Sequence, residues 1–151
     1  MKIEEAIRQE KPFKDMKSKA VINCIYTASW LQTNMNLALK PFKISMQQYN
    51  ILRILKGQNP KSASIKLLQE RMLDKMSNSS RLVDKLVDKK LVDRIVCPND
   101  RRRVEVSINQ NGLLLLELAT NDLDNLLNQK LTNFTLAESA QLSDLLDKFR
   151  S

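Results

Sequence analysis

The stretch SSRLVDKLVDKKLVDRIVCPNDRRRVEVSINQNG, residues 79–112, decides how the whole chain reads. Ser79, Leu82, Val83 and Leu86 recur at the i, i+3, i+4, i+7 spacing of a helix with one inward face. Arg81 and Lys85 fall on the opposite side or its flanks. Leu91–Val96 then reads as a strand, and Val104, Val106 and Ile108 alternate along a second one. Between them Pro98-Asn99-Asp100 carries turn chemistry, so Cys97 to Arg103 is expected to be the connecting turn. Three arginines side by side in a turn repel one another. A ligand that relieves that repulsion is a polyanion.

Upstream, a helix is expected from about residue 14 to Leu39, where Val21, Ile22, Ile25, Tyr26, Ser29 and Trp30 keep helical spacing. Pro41 ends it, because proline disfavours helix in the residue before it. Ser45-Met46-Gln47-Gln48 is a capping box. It opens a helix with Tyr49, Leu52 and Leu55, or Ile51, Ile54 and Leu55, facing inward. Gly57 is expected to stop that helix, with Gln58-Asn59-Pro60 as a turn. Ser62 or Ser64 starts a short helix carrying Ile65, Leu68 and Met72, and Asp74 is the expected N-cap of the helix over Lys75–Lys89. Downstream, Asn109 can cap a leucine-rich helix from Leu113 to Leu131. Thr135-Leu136-Ala137-Glu138 is a second capping box, opening a last helix with Leu142, Leu145, Leu146 and Phe149 on one face.

Two short helices, a tight turn and a hairpin describe a winged helix-turn-helix, whose second helix can enter a DNA major groove. The fold class is mainly α with a small β-hairpin wing. Ser77, Asn78, Ser80 and Arg81 can hydrogen-bond base edges. Lys85 and Lys89 sit further along, where phosphates would be met. Arg101, Arg102 and Arg103 suit the narrow, negative minor groove beside it, and Asp100 is near enough in sequence to pair with Arg102.

The totals agree. The formal net charge is +8, with 42% hydrophobic and 28% charged residues. Residues 61–103 are basic and residues 104–151 acidic, so the positive charge concentrates on the segment just described. The chain has no histidine, which removes the commonest general base and metal ligand. Its two glycines, Gly57 and Gly112, allow no glycine-rich phosphate loop. No enzyme, metal site or cofactor is expected. No apolar run reaches the roughly 18 residues of a membrane span, and the charged first residues lack a signal-peptide apolar stretch, so a cytoplasmic protein is expected. Cys24 and Cys97 are then reduced. Two other readings stand beside the regulator. One is a winged helix that binds protein rather than DNA. The other is a redox-responsive regulator using Cys97, near arginines that would lower its pKa.

Residues 79–94 and 99–112, with Tyr49 in QQYNILRIL, resemble the MarR family of bacterial transcriptional regulators. The likeness covers essentially the whole chain, though the outer helices match only in pattern. It implies a homodimer on a palindromic site, probing double-stranded DNA with one winged lobe per subunit. Residues 1–40 and 109–151 would form the dimerisation helices, and residues 44–108 the DNA-binding lobe. Asp100 and Arg102 fall on the family's wing signature, and Asn78, Ser80 and Arg81 on its base-reading helix. The resemblance also implies a repressor released by a small-molecule effector. Candidate pocket residues are Trp30, Met35, Phe42, Met46 and Tyr49, whose bland alternative is ordinary core. The family's peroxide-sensing cysteine and tyrosines have no counterpart, since those places hold Val21, Met35 and Met46. The family often has glycine where Leu73 and Lys90 stand here, which implies differently shaped turns at both positions.

Overall fold

The computed structural model describes residues 1–97 and 100–151, with only the backbone described at residues 97 and 101–103. A one-turn helix α1 (Ile3–Ala6) precedes a long helix α2 (Met16–Leu39), capped by the Asp15 carboxylate, which accepts from the Ser18 amide. Pro41 sits in the 3-10 turn Lys40–Phe42 that closes α2. Helix α3 (Met46–Gln58) begins in the expected capping box: Ser45 Oγ accepts from the Gln48 amide, and Gln48 Oε1 accepts from the Ser45 amide. Both alternative inward faces of α3 are buried together, Tyr49, Ile51, Leu52, Ile54 and Leu55 alike. Such a helix is enclosed on more than half its circumference and forms the centre of the lobe.

Gly57 does not end α3. The helix runs through it to Gln58 with Asn59 as C-cap, and Gly57 has no left-handed backbone, so its glycine character is not used as a stop. Strand β1 (Ala63–Ser64) follows, unforeseen in the sequence because two residues show no period. Ser64 then caps α4 (Ile65–Arg71) through the Leu67 amide.

The next helix, α5 (Ser79–Asp88), starts four residues later than expected. Asn78 is its cap, accepting from the Arg81 amide at 3.0 Å. Asp74, the expected cap, instead accepts from the Met76 amide at 3.0 Å inside the preceding turn. Strands β2 (Val92–Cys97) and β3 (Asp100–Ile108) form the wing. They pair antiparallel from Val92↔Ile108 to Val96↔Val104, with a register shift before Cys97↔Asp100. β1 adds to the other edge of β3, giving the order β1-β3-β2. Asp100 to Arg103 therefore lie in strand β3, not in the connecting turn expected for them.

Two long helices close the chain. α6 (Gln110–Lys130) is capped by Asn109, which accepts from the Gly112 amide. α7 (Leu136–Arg150) opens in the Thr135–Glu138 capping box. α6 packs along α2. The core gathers α3 with Leu68, Met72, Val83, Leu86, Val92, Val106 and Ile108 of the lobe and Leu116, Ala119 and Leu123 of α6. Tyr49 Oη meets Thr120 Oγ1 at 3.0 Å, a polar tie between lobe and α6. Thr120 Oγ1 donates to the Leu116 carbonyl, so the tyrosine hydroxyl donates to the threonine.

The outer helices are unlike the lobe. α2 buries only Leu39 and α7 buries nothing. Ile25 of α2, Leu118 of α6, and Leu145 and Phe149 of α7 are more than half exposed. Among the described residues no helix is long and apolar enough to cross a membrane.

Candidate nucleic-acid interface

The pattern along α5 sorts its residues cleanly. Ser79, Val83 and Leu86 are buried and Leu82 half-buried, while Ser80, Arg81 and Lys85 are exposed. The buried face fixes the helix on the core, so the opposite side chains point away from it. Two shallow grooves flank the helix start. One, about 510 Å³, includes Lys66, Gln69, Ser77, Asn78 and Ser80. The other, about 370 Å³, includes Gln47, Ser77, Asn78, Arg81 and Lys85. Ser77, Asn78, Ser80, Arg81 and Lys85 are thus brought to one surface, as their spacing implied. Lys89 is not with them: its ammonium donates to the Lys43 carbonyl.

What aims this surface is a set of side-chain to backbone hydrogen bonds that no sequence period reveals. Gln69 of α4 accepts from the Ser79 amide at 3.1 Å and donates to the Lys75 carbonyl at 3.3 Å. Asn50 of α3 accepts from the Leu73 amide at 2.9 Å. Gln47, one helical turn before Asn50, reaches Asp74 Oδ2 at 3.5 Å. The Met76 amide and then the Gln47 side chain hold the Asp74 carboxyl below its ordinary pKa. On the far side of α5, Asp84 pairs with Arg94 of β2, tying helix to wing.

The two turns expected to differ for want of glycine behave unequally. Leu73 has no left-handed backbone, but Lys90 does, with φ 58. Lys90 adopts the conformation glycine favours, and the turn survives with a lysine in it. Its amide donates to the Val87 carbonyl and the next amide, of Leu91, to Leu86. Asp100 is exposed at the start of β3. The side chains of Arg101, Arg102 and Arg103, and with them the expected Asp100–Arg102 pair, lie outside the described residues. So do Pro98, Asn99 and the Cys97 thiol.

A helix held by its neighbour helix, exposing polar donors at its start beside a three-stranded wing, is the arrangement of a winged helix-turn-helix. Residues 44–104 match the model of the MarR family. Over that segment the chain is similar to the MarR family. Solved structures with this fold include a MarR-like transcription regulator from Bacillus cereus, 23% identical, covering 90% of this chain and 97% of that one, with a TM-score of 0.76. A MarR transcription factor from Planctomyces limnophilus is 26% identical, covering 90% and 98%, with a TM-score of 0.70. A mutant MarR from E. coli, complexed with operator DNA, is 24% identical, covering 84% and 91%, with a TM-score of 0.70. Among curated proteins none matches the sequence.

The five residues expected to line an effector pocket separate in the MarR-family fold. Met35 and Met46 border a cavity of about 460 Å³ between α2, α3 and the turn before α5. Tyr49 is buried in the core instead, its ring under the Arg53 guanidinium and its hydroxyl spent on Thr120. Phe42 packs against the core, and Trp30 is half-buried on α2 away from the cavity lining. The sequence missed Gln47, Asn50, Met72 and Asp74, which do line it. Cys24 is a free, half-buried thiol on α2.

Proposed function

We propose that the chain is a DNA-binding transcription regulator acting as a homodimer. Each subunit lays the start of α5 into a major groove and turns its wing to the neighbouring minor groove. Ser77, Asn78, Ser80 and Arg81 meet base edges, and Lys85 a phosphate. Asp100, Arg101, Arg102 and Arg103 serve the wing. The single observation that carries this reading is the two-sided character of α5. Val83 and Leu86 are sealed in the core, while Ser80, Arg81 and Lys85 stand in the open on the opposite face. An interaction module that never touches DNA has no need of that cluster, nor of the basic balance of the segment around it.

Residues 1–40 and 109–151 are proposed as the dimerisation helices, flanking the lobe of residues 44–108. The support is energetic. α2, α6 and α7 leave Ile25, Leu118, Leu142, Leu145 and Phe149 exposed, and large exposed apolar side chains gathered on such helices favour an interaction surface. A twofold dimer presents two α5 helices, so the operator is palindromic. Repression, relieved when an effector enters the cavity beside the lobe, is the direction of control proposed.

Selection of bound duplexes from random DNA, followed by a salt titration, tests this. Counterion release predicts an affinity that falls steeply with salt. Selected sites should show twofold symmetry. A chain with no measurable hold on any duplex at low salt would end the proposal.

A further inference from the structure

The cavity between α2, α3 and the turn before α5 has a lopsided lining. Leu31, Met35, Met46 and Met72 make its walls, and Gln32, Gln47 and Asn50 its neutral polar groups. One lining residue is charged, Asp74. Among the described residues no lysine or arginine lines the space, although the chain as a whole carries a net charge of +8. We infer that this cavity binds an amphiphilic cation, an apolar body bearing a protonated amine, with the Asp74 carboxylate as its counter-charge. The inference rests on the regulator reading and names the ligand class of that effector site.

Three observations support it. The volume, about 460 Å³, falls in the range of small-molecule sites, roughly 300 to 1,000 Å³. Walls of thioether and branched aliphatic surface suit an aryl or alkyl body, and methionine adapts to an irregular one. The carboxylate has acceptor capacity to spare. Oδ1 takes the Met76 amide at 3.0 Å, Oδ2 takes the Gln47 side chain at a long 3.5 Å, and the Ser77 side chain is a weaker third partner of the carboxylate. A protonated amine is a better partner for that oxygen than a stretched amide, because ionised donor and acceptor together make the stronger bond. An anionic ligand would face Asp74 with nothing in the lining to neutralise it.

The same atoms couple the cavity to α5. Asn50 and Gln47 hold Leu73 and Asp74, and Asp74 in turn holds Met76, two residues before the Asn78 cap. An amine on Oδ2 displaces Gln47 and loosens one end of this chain of bonds. The orientation of α5 then depends on whether the cavity is filled, provided the two orientations bind the amine unequally.

Isothermal titration calorimetry of the full chain with phenylbutylamine and phenylbutyrate, a pair alike in shape and opposite in charge, tests the ligand class without DNA. The amine should bind at least about tenfold more tightly than the acid, a separation that calorimetry resolves easily. Asp74→Asn, which keeps an oxygen for the Met76 amide, should erase that preference. Met35→Trp fills the apolar end and should abolish amine binding whatever Asp74→Asn does to folding. Equal affinities, no heat from the amine, or unchanged amine binding to Met35→Trp would overturn the inference. Amine binding by a chain that ignores every duplex would sink the regulator reading and leave the ligand assignment standing. Duplex binding without amine binding would do the reverse.

Discussion

A Cβ placed on Gly112 would stand 2.1 Å from the carbonyl oxygen of Leu91. The same oxygen takes the Asn109 amide at 3.3 Å, and Asn109 Nδ2 donates to the Lys90 carbonyl at 3.1 Å and to Asp93 at 3.2 Å. The first turn of α6 is therefore locked against the segment that joins α5 to the wing. Glycine is required here for close approach, not for backbone conformation. Gly112→Ala drives a methyl group into the Leu91 carbonyl and the Ile108 side chain, and overpacking of this kind costs roughly 1–3 kcal/mol. A lower midpoint in urea denaturation is expected, and an unchanged midpoint would mean that the two segments part readily.

Lys90 offers the opposite experiment. A left-handed non-glycine residue costs about 1–2 kcal/mol, against roughly 0.5–1 kcal/mol for the extra freedom glycine loses on folding. Lys90→Gly should stabilise the chain by about 0.5–1 kcal/mol on that balance, read as a rise in melting temperature. Lys90→Ala, which keeps the strain, should not.

Acid should weaken the last helix in a defined way. The Thr135 amide first, then its hydroxyl, holds the Glu138 carboxyl below its ordinary pKa. The folded value is depressed, so its contribution is complete above the unfolded value of about 4.3 and is lost as pH falls through the lower folded one. Glu138→Gln removes the titrating group. Melting curves from neutral pH down to about 3 should therefore fall less steeply with acid for that variant across this window. Parallel slopes would count against the capping box.

Arg81 and Lys85 should fail differently. Truncating a side chain that reads a base costs about 1–3 kcal/mol and relaxes sequence preference at one position. Losing a phosphate contact weakens all sequences alike and lowers the salt slope by about one. Arg81→Ala should change which duplexes are selected. Lys85→Ala should change the slope and leave the selected sequence alone. Fluorescence anisotropy on matched and mismatched duplexes separates the two.

The apolar faces of α2, α6 and α7 predict the assembly state. Leu145→Asp together with Phe149→Asp places two charges on the face of α7, where both residues are more than half exposed in the single chain. Sedimentation should move from dimer to monomer with helix content largely kept. A dimer that survives both changes would place the interface elsewhere.

Much of this architecture is legible in the residues because it is local. Ser45, Asn109 and Thr135 announce their helices through side chains that act within three positions, and all three do so. The alternation of Val104, Val106 and Ile108 is likewise a local signal, and it marks β3 correctly. Failures arise where tertiary partners decide. Asp74 and Asn78 are both fit to cap a helix, and the choice falls to Asn78 because Gln69, ten residues before Ser79, takes the Ser79 amide. β1 exists only because β3 runs beside it. The lining of the cavity between α2 and α3 is decided by tertiary partners in the same way. Apolar spacing offers Phe42 and Tyr49 as readily as Met35 and Met46, and only the packing of α2 on α3 separates wall from core.

The Asn78 cap has a consequence for how a sequence can be told apart. An asparagine that recognises adenine in the usual two-pronged fashion needs both its oxygen and its nitrogen free. Here one lone pair of the oxygen is already committed to the Arg81 amide, which restricts the directions from which the oxygen can accept a second bond and leaves the two amide hydrogens as its freest groups. On the proposed DNA-binding reading, such a side chain offers hydrogens equally to any purine N7, guanine O6 or thymine O4, so finer discrimination at that point of a duplex falls to its neighbours on the helix.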